Sequence, residues 1–332
     1  MNLKISLPLV VLFLCTYASQ AQYTETINSN RPGTSQGAFA VGNQVLQFET
    51  GVGMGWDKHT LLAYESDMFI VDYAIRYGLA LEQLEINFMG SYVSEDRLST
   101  LTTIPQEVKI SNFRSNTLGL KYLIYDPYKK RALESPNLYS WHANNSFRWR
   151  ELIPAVAIFA GVNFDNKDNL YIPPNESLIS PKVMVSTQNN LEGGWVFVTN
   201  IIADRIGQEF PTYSYILTLT HAFNERVSAF VENQGIKSDF YADQILRFGG
   251  AYLISDDLQA DVLASLNFKD TPSKYYVGIG VSYRIDMHSV DEIIEDKNSK
   301  KERKREEMNE KNRKDKVDPS NLENYEVGDE DK

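Results

Sequence analysis

The sequence predicts an all-β chain, an antiparallel transmembrane up-and-down β-barrel of about twelve strands. Three observations carry that prediction. In residues 68–92, MFIVDYAIRYGLALEQLEINFMGSY, the residues Phe69, Val71, Tyr73, Ile75, Tyr77 and Leu79 share one parity, and Asp72, Ala74, Arg76 and Gly78 share the other. A period of two is a strand signature, and each arm of this hairpin is about ten residues long, nearer a membrane-spanning strand than the usual five or six. The second observation is an N-terminus with the form of an export signal, after which no run approaches the roughly eighteen apolar residues of a transmembrane helix. An exported chain of this kind can enter a bilayer only as a closed barrel, which pairs every backbone donor and acceptor. The third is an even count of strand-like segments, which brings both ends of the barrel to the same side of the membrane.

The elements follow in chain order. Residues 1–21 hold Lys4, an apolar run from Ile5 to Cys15, and the small residues Ser19 and Ala21 ahead of a cleavage site, so a signal peptide cut after Ala21 is expected. Leu14 stands before Cys15 where a lipoprotein signal would carry a small residue. Loss of the signal removes the chain's one cysteine, and with it any disulfide or thiolate metal site. Residues 22–43 are polar and aperiodic and read as an extended N-terminal lead-in or plug, followed by a barrel over residues 44–286.

Strand one has Leu46, Phe48, Thr50, Val52, Met54 and Trp56 on one face, and Gln47, Glu49, Gly51, Gly53 and Gly55 on the other. The hairpin supplies strands two and three, broken at residues 80–83. A polar stretch over 93–113 reads as a connection, and strand four covers 115–125. Residues 126–151 take no assignment. Strands five to twelve are expected at 152–164, 180–188, 194–202, 213–221, 227–233, 244–254, 258–268 and 275–285. Four of the five connections after even-numbered strands are short and turn-like, as periplasmic turns are. From residue 287 to 332 the chain is rich in Lys, Glu, Arg and Asp, with too few apolar residues for a core. It reads as a periplasmic tail, helical or disordered, either plain or acting as a tether to peptidoglycan or a partner protein.

If the apolar parity faces lipid, the other lines the lumen. That rule sends Glu49, Asp72, Arg76, Glu85, Asn87, Lys121, Glu232, Arg247, Gln259, Asp261, Ser282 and Arg284 inward. Acids and bases are nearly balanced in this set, which suits either a narrow gated pathway or a lumen cross-linked shut. Arg31 lies in the lead-in beside Pro32. Folded back into the barrel, it would meet Glu49 or Glu85; otherwise it is a solvated periplasmic residue. Arg31, Glu49, Asp72, Arg76, Glu85, Lys121, Glu232, Arg247, Asp261 and Arg284 are therefore the lumen or gate candidates. Trp56, Trp141, Trp149 and Trp195, with Tyr92, Tyr125 and Tyr283, suit the aromatic girdles of a membrane protein.

A formal charge of −11 argues against a nucleic-acid partner. Catalysis is not expected. His142, Asn144 and Ser146 lie close together in WHANNS, but no glycine-flanked serine accompanies them and the segment is not a clear strand. Asp165, Asn166, Asp168 and Asn169 offer oxygens without the spacing of a calcium loop, so neither metal nor cofactor is expected.

With these segments in place, the chain resembles a family of outer-membrane barrels described as transporters of the phenol meta-degradation pathway. The resemblance rests on Asn30, Arg31 and Pro32, on QFETGVG at 47–53, IRYGL at 75–79, LEIN at 84–87, LGLKY at 118–122 and PAVAIFAGVNF at 154–164. It continues in SAFVEN at 228–233 and YYVGIGVSYRI at 275–285. This chain departs from the family pattern at the 80–83 turn and in its C-terminal extension. The resemblance implies a bacterial outer-membrane location and passive transport of small, hydrophobic or aromatic solutes; diffusion down a gradient is then expected, with the lumen charges and residues 30–36 as the gate. The expected partners are outer-membrane lipid, from the barrel itself, the barrel assembly machinery, from the glycine and alternating apolar residues of the last strand, and a small-molecule solute. The alternative is a structural or partner-binding barrel with a closed lumen and a periplasmic tether.

Overall fold

A computed structural model describes residues 26–101, 103–132, 139, 149–166, 169–173 and 176–287. The expected signal peptide, the charged tail, Trp141, His142, Asn144, Ser146 and Asp168 lie outside these residues.

Alternation in the sequence becomes strand in the fold. The twelve strands are β1 (Val45–His59), β2 (Tyr64–Gly78), β3 (Leu84–Ser99), β4 (Gln106–Tyr125), β5 (Ala155–Phe164), β6 (Ile179–Leu191), β7 (Trp195–Asp204), β8 (Thr212–Ala222), β9 (Val227–Lys237), β10 (Ala242–Ser255), β11 (Leu258–Asn267) and β12 (Ser273–Asp286). Each pairs antiparallel with its sequence neighbour, and β12 returns to β1 from Val45↔Asp286 to Lys58↔Ser273. The sheet is a closed barrel and leaves no edge strand with unpaired backbone.

Burial is inverted relative to a soluble protein. Phe48, Met54, Trp56, Ile201, Val262 and Ile279 are exposed on the outside, whereas the largest fully buried side chains include Arg76, Lys121, Gln47, Glu85 and Glu232. An apolar exterior around a polar interior is what a bilayer selects. No helix among the described residues is long and apolar enough to cross a membrane, so crossing falls to the strands.

The structure departs from the expected elements in two places. The polar stretch 93–113 is largely paired strand, with Tyr92↔Phe113 through Ser99↔Gln106 in register. Polar side chains occupy both faces there, with Ser94 Oγ 3.1 Å from Ser111 Oγ and Lys109 Nζ 3.4 Å from the Asp96 carboxylate. Strands that rise beyond the apolar band meet water on the outside too, so the ladder continues while the alternation is lost. In the unassigned 126–151 stretch, an α-helix, α1 (Pro127–Ala132), starts at Asp126, whose Oδ1 accepts the amide of Tyr128 at 2.9 Å. A 3-10 turn covers Trp149–Leu152.

Candidate functional site

The lead-in does not hang outside the barrel. It enters at the end that holds the barrel's termini, where the Ile27 amide donates to the Asp256 carbonyl at 2.7 Å in the β10–β11 turn. It crosses the interior and returns to the same end, where Gly42 abuts Gly78 and the Gln44 amide donates to the Gly78 carbonyl at 3.1 Å. A segment with no secondary structure of its own must satisfy its backbone elsewhere. Here the wall side chains do it.

Glu232 on β9 accepts the amides of Thr34 and Ser35 at 3.1 Å each, with the Thr34 hydroxyl at 2.7 Å. Asn200 on β7 accepts the Gln36 amide at 2.7 Å and donates to the Gln36 carbonyl at 2.8 Å. Gln188 on β6 takes the Ala38 amide at 3.1 Å, Glu85 on β3 the Val41 amide at 2.9 Å, and Glu49 on β1 the Asn30 amide at 3.2 Å. Donors answer from other strands. Lys121 on β4 reaches the carbonyls of Gly37 and Phe39 at 3.1 and 2.9 Å, Arg76 on β2 reaches that of Asn28 at 2.7 Å, and Gln259 on β11 that of Arg31 at 3.1 Å. An apolar cluster forms at one end, where Ala38 and Phe39 pack against Leu123, Ala155, Ala157 and Tyr128.

Two ion-pair groups hold the wall around this segment. In the first, Arg76 bonds Glu49 at 3.2 Å and Glu85 at 3.0 Å, and Lys121 bonds Glu85 at 2.8 Å. In the second, Arg247 bonds Glu232 at 2.9 Å while Thr218 donates to the same carboxylate at 2.9 Å. Asn87 donates to Glu85 at 2.8 Å. Buried charges of this kind are tolerable because each is paired and hydrogen-bonded.

Arg31 lies inside the barrel, but its partner differs from the expected one. Its Nε and Nη2 each lie 3.1 Å from the two carboxylate oxygens of Asp261 on β11, a bidentate pair. Glu49 and Glu85 are already taken by Arg76. Parity identifies which side chains point inward, but not which strand lies across the lumen. Asp72 accepts from the Tyr276 hydroxyl at 3.4 Å, and Ser282 meets Ser29 at 2.7 Å. The Arg284 Nε bonds Asp257 at 2.8 Å at the β10–β11 turn. A cavity of ≈ 110 Å³ remains beside the plug, lined by Arg31, Thr34, Gln36, Asp72, Arg76 and Asn87 among others.

Residues 29–285, the barrel nearly to its end and most of the lead-in inside it, match the family described as "Putative MetA-pathway of phenol degradation". The chain belongs to this family. Solved structures align with this MetA-pathway family member at low identity. The COG4313 outer membrane channel from Pseudomonas putida F1 shares 9% identity at a TM-score of 0.51, covering 78% of this chain and 100% of that one. The translocator domain of the autotransporter NalP from Neisseria meningitidis shares 9% at 0.43, covering 74% and 89%. The TodX monoaromatic hydrocarbon channel, as a deletion mutant, shares 9% at 0.43, covering 80% and 96%. No curated protein matches the sequence.

Three residues that hold the lead-in of the family member lie outside the candidate set: Gln47, whose side-chain amide donates to the Asn28 carbonyl at 3.1 Å, Gln188 and Asn200. Asn200 carries a visible signal, an amide in the middle of the apolar run WVFVTNII. The pair Gly51 and Gly280 also acquires a reason. They are cross-strand partners, and a Cβ on either would collide with the Arg31 guanidinium. Gly280→Val is therefore expected to displace Arg31 from Asp261 at a cost of about 1–3 kcal/mol. The urea midpoint for loss of heat-modifiable migration would record it, and an unshifted midpoint would mean that the guanidinium does not occupy that glycine gap.

Proposed function

We propose that this outer-membrane barrel is a gated passive channel for small solutes, aromatic ones foremost, with residues 27–41 as the gate. The observation that carries the reading is the way the plug is held. Side chains of eight strands grip its main chain by hydrogen bonds. Such contacts can be exchanged for water one at a time, whereas a packed apolar plug would have to leave as a unit. Membership in a phenol-degradation family supports an aromatic cargo, and the outer membrane channel whose fold the chain shares supports transport over catalysis. Solute movement would run down its gradient, with Arg31, Arg76, Glu85, Lys121 and Glu232 setting how readily the plug shifts.

The test is reconstitution of the chain without residues 1–21 in liposomes, with entry of a small aromatic such as benzyl alcohol and of a sugar compared against protein-free vesicles. A selective gain for the aromatic is expected. A folded, heat-modifiable barrel that admits neither would overturn the channel reading in favour of a closed structural barrel.

A further inference from the structure

Among the described residues, acids in the half of the lumen opposite the termini have a cation or hydrogen-bond donor beside them, Asp165 and Asp204 through Arg205 and Lys182. Lys274 Nζ lies 3.8 Å from Asp57, and the Tyr276 hydroxyl 3.4 Å from Asp72. Arg97 Nε and the Tyr171 hydroxyl donate to Glu95 at 2.8 and 3.2 Å. Tyr241 and Asn267 donate to Asp243. Among the bases of that region, Arg114 stands apart. It has no carboxylate within ion-pair distance among the described residues, Asp72 feeling its charge only from farther off, and its contacts are the ring of Tyr171, 5.5 Å from its guanidinium carbon, and Met68 Sδ at 3.9 Å.

Arg114 is inside because of a bulge. Thr117, Gly119, Lys121 and Leu123 point inward along β4, so strict alternation would turn Arg114 to the lipid and Phe113 to the lumen. Instead Ser91 pairs with Ser115 and Tyr92 with Phe113, which skips Arg114. Phe113 now lies outside, edge-on to Tyr92 with ring centroids 5.3 Å apart. Bulges commonly re-aim one side chain in this way. The guanidinium is then steadied by Tyr171, which the 165–178 connection brings to Glu95. Burial, and after it the charge of Glu95, push the Tyr171 phenol up to about 12, so it stays a neutral donor. Beside this cation, Met68, Ile70 and Val93 turn inward, Ile70 and Val93 being cross-strand partners.

A planar cation with no carboxylate within ion-pair distance among the described residues, 5.5 Å from an aromatic ring and next to apolar side chains, is complementary to a small flat anion. We propose that Arg114 is a recognition point for an aromatic solute bearing a single carboxylate or phenolate, paired to the guanidinium with its ring against Met68 and Ile70. The assignment rests on the channel reading and adds the charge class of its cargo.

Benzoate is the probe, with acetate as an anion lacking the ring and benzyl alcohol as a ring lacking the charge. Binding of each to the detergent-extracted full chain would be measured by calorimetry for wild type, Arg114→Gln and Arg114→Lys, after heat-modifiability confirms folding. Benzoate should bind wild type more tightly than either control and lose about tenfold in affinity in Arg114→Gln, with partial retention in Arg114→Lys and no change for benzyl alcohol. Benzoate that binds Arg114→Gln as well as wild type, or fails to bind wild type, overturns the assignment. Flux in liposomes reports separately: benzoate that binds but does not cross leaves the site in place and removes the channel reading.

Discussion

Deleting residues 27–41 should raise single-channel conductance in planar bilayers on the order of tenfold, because a twelve-strand barrel freed of its plug leaves a polar, water-filled bore. The deletion should not prevent folding. Strand pairing begins at Val45, and the wall charges Arg76, Glu49, Glu85 and Lys121 pair among themselves without the plug. The carboxylate of Glu232 keeps Arg247 and Thr218. Arg31→Ala, by comparison, removes one bidentate anchor among many, so its increase should be smaller and accompanied by flicker between levels. Equal conductance in the wild type and the deletion would mean that the plug is no barrier to ions.

Arg76→Met should be the most destabilising single change, by about 3–5 kcal/mol, since it strands buried acid groups rather than merely deleting a contact. Arg76 is 1% exposed and bonds both Glu49 and Glu85, besides the carbonyl of Asn28 on the plug. Its loss leaves Glu49 without a cation and Glu85 with Lys121 alone. The readout is the urea midpoint of folded migration. Adding Glu49→Gln to Arg76→Met should recover part of the loss, because the stranded charge is then gone. If the double variant is as weak as the single, shape rather than charge sets the role of Arg76.

The barrel was legible because lipid and lumen impose opposite demands on neighbouring residues, so alternation in segments such as 45–56 and 275–285 is strong. The strand ends were not, since above the bilayer both faces are wet and stretches such as 93–113 lose their pattern while keeping their ladder. Parity also placed Arg76, Glu85, Lys121 and Glu232 inside, as the burial shows. What parity could not supply is distance across the lumen. The Arg31 partner on β11 and the Asn200 contact to the plug depend on how the tilted wall closes, which no local pattern encodes. Arg114 shows a further limit, because a single skipped residue reverses every inference drawn from odd and even numbering.

The plug is a re-entrant loop, anchored at Ile27 and again at Gly42 by turns of the same rim. It is therefore not threaded through the ring of strands, and pulling it out or pushing it in requires no passage of a chain end through the bore. During assembly the twelve strands can close first, and the loop can dock afterwards from the side where both of its ends already lie. Withdrawal of the loop, as the proposed gating requires, would then leave the closed sheet untouched.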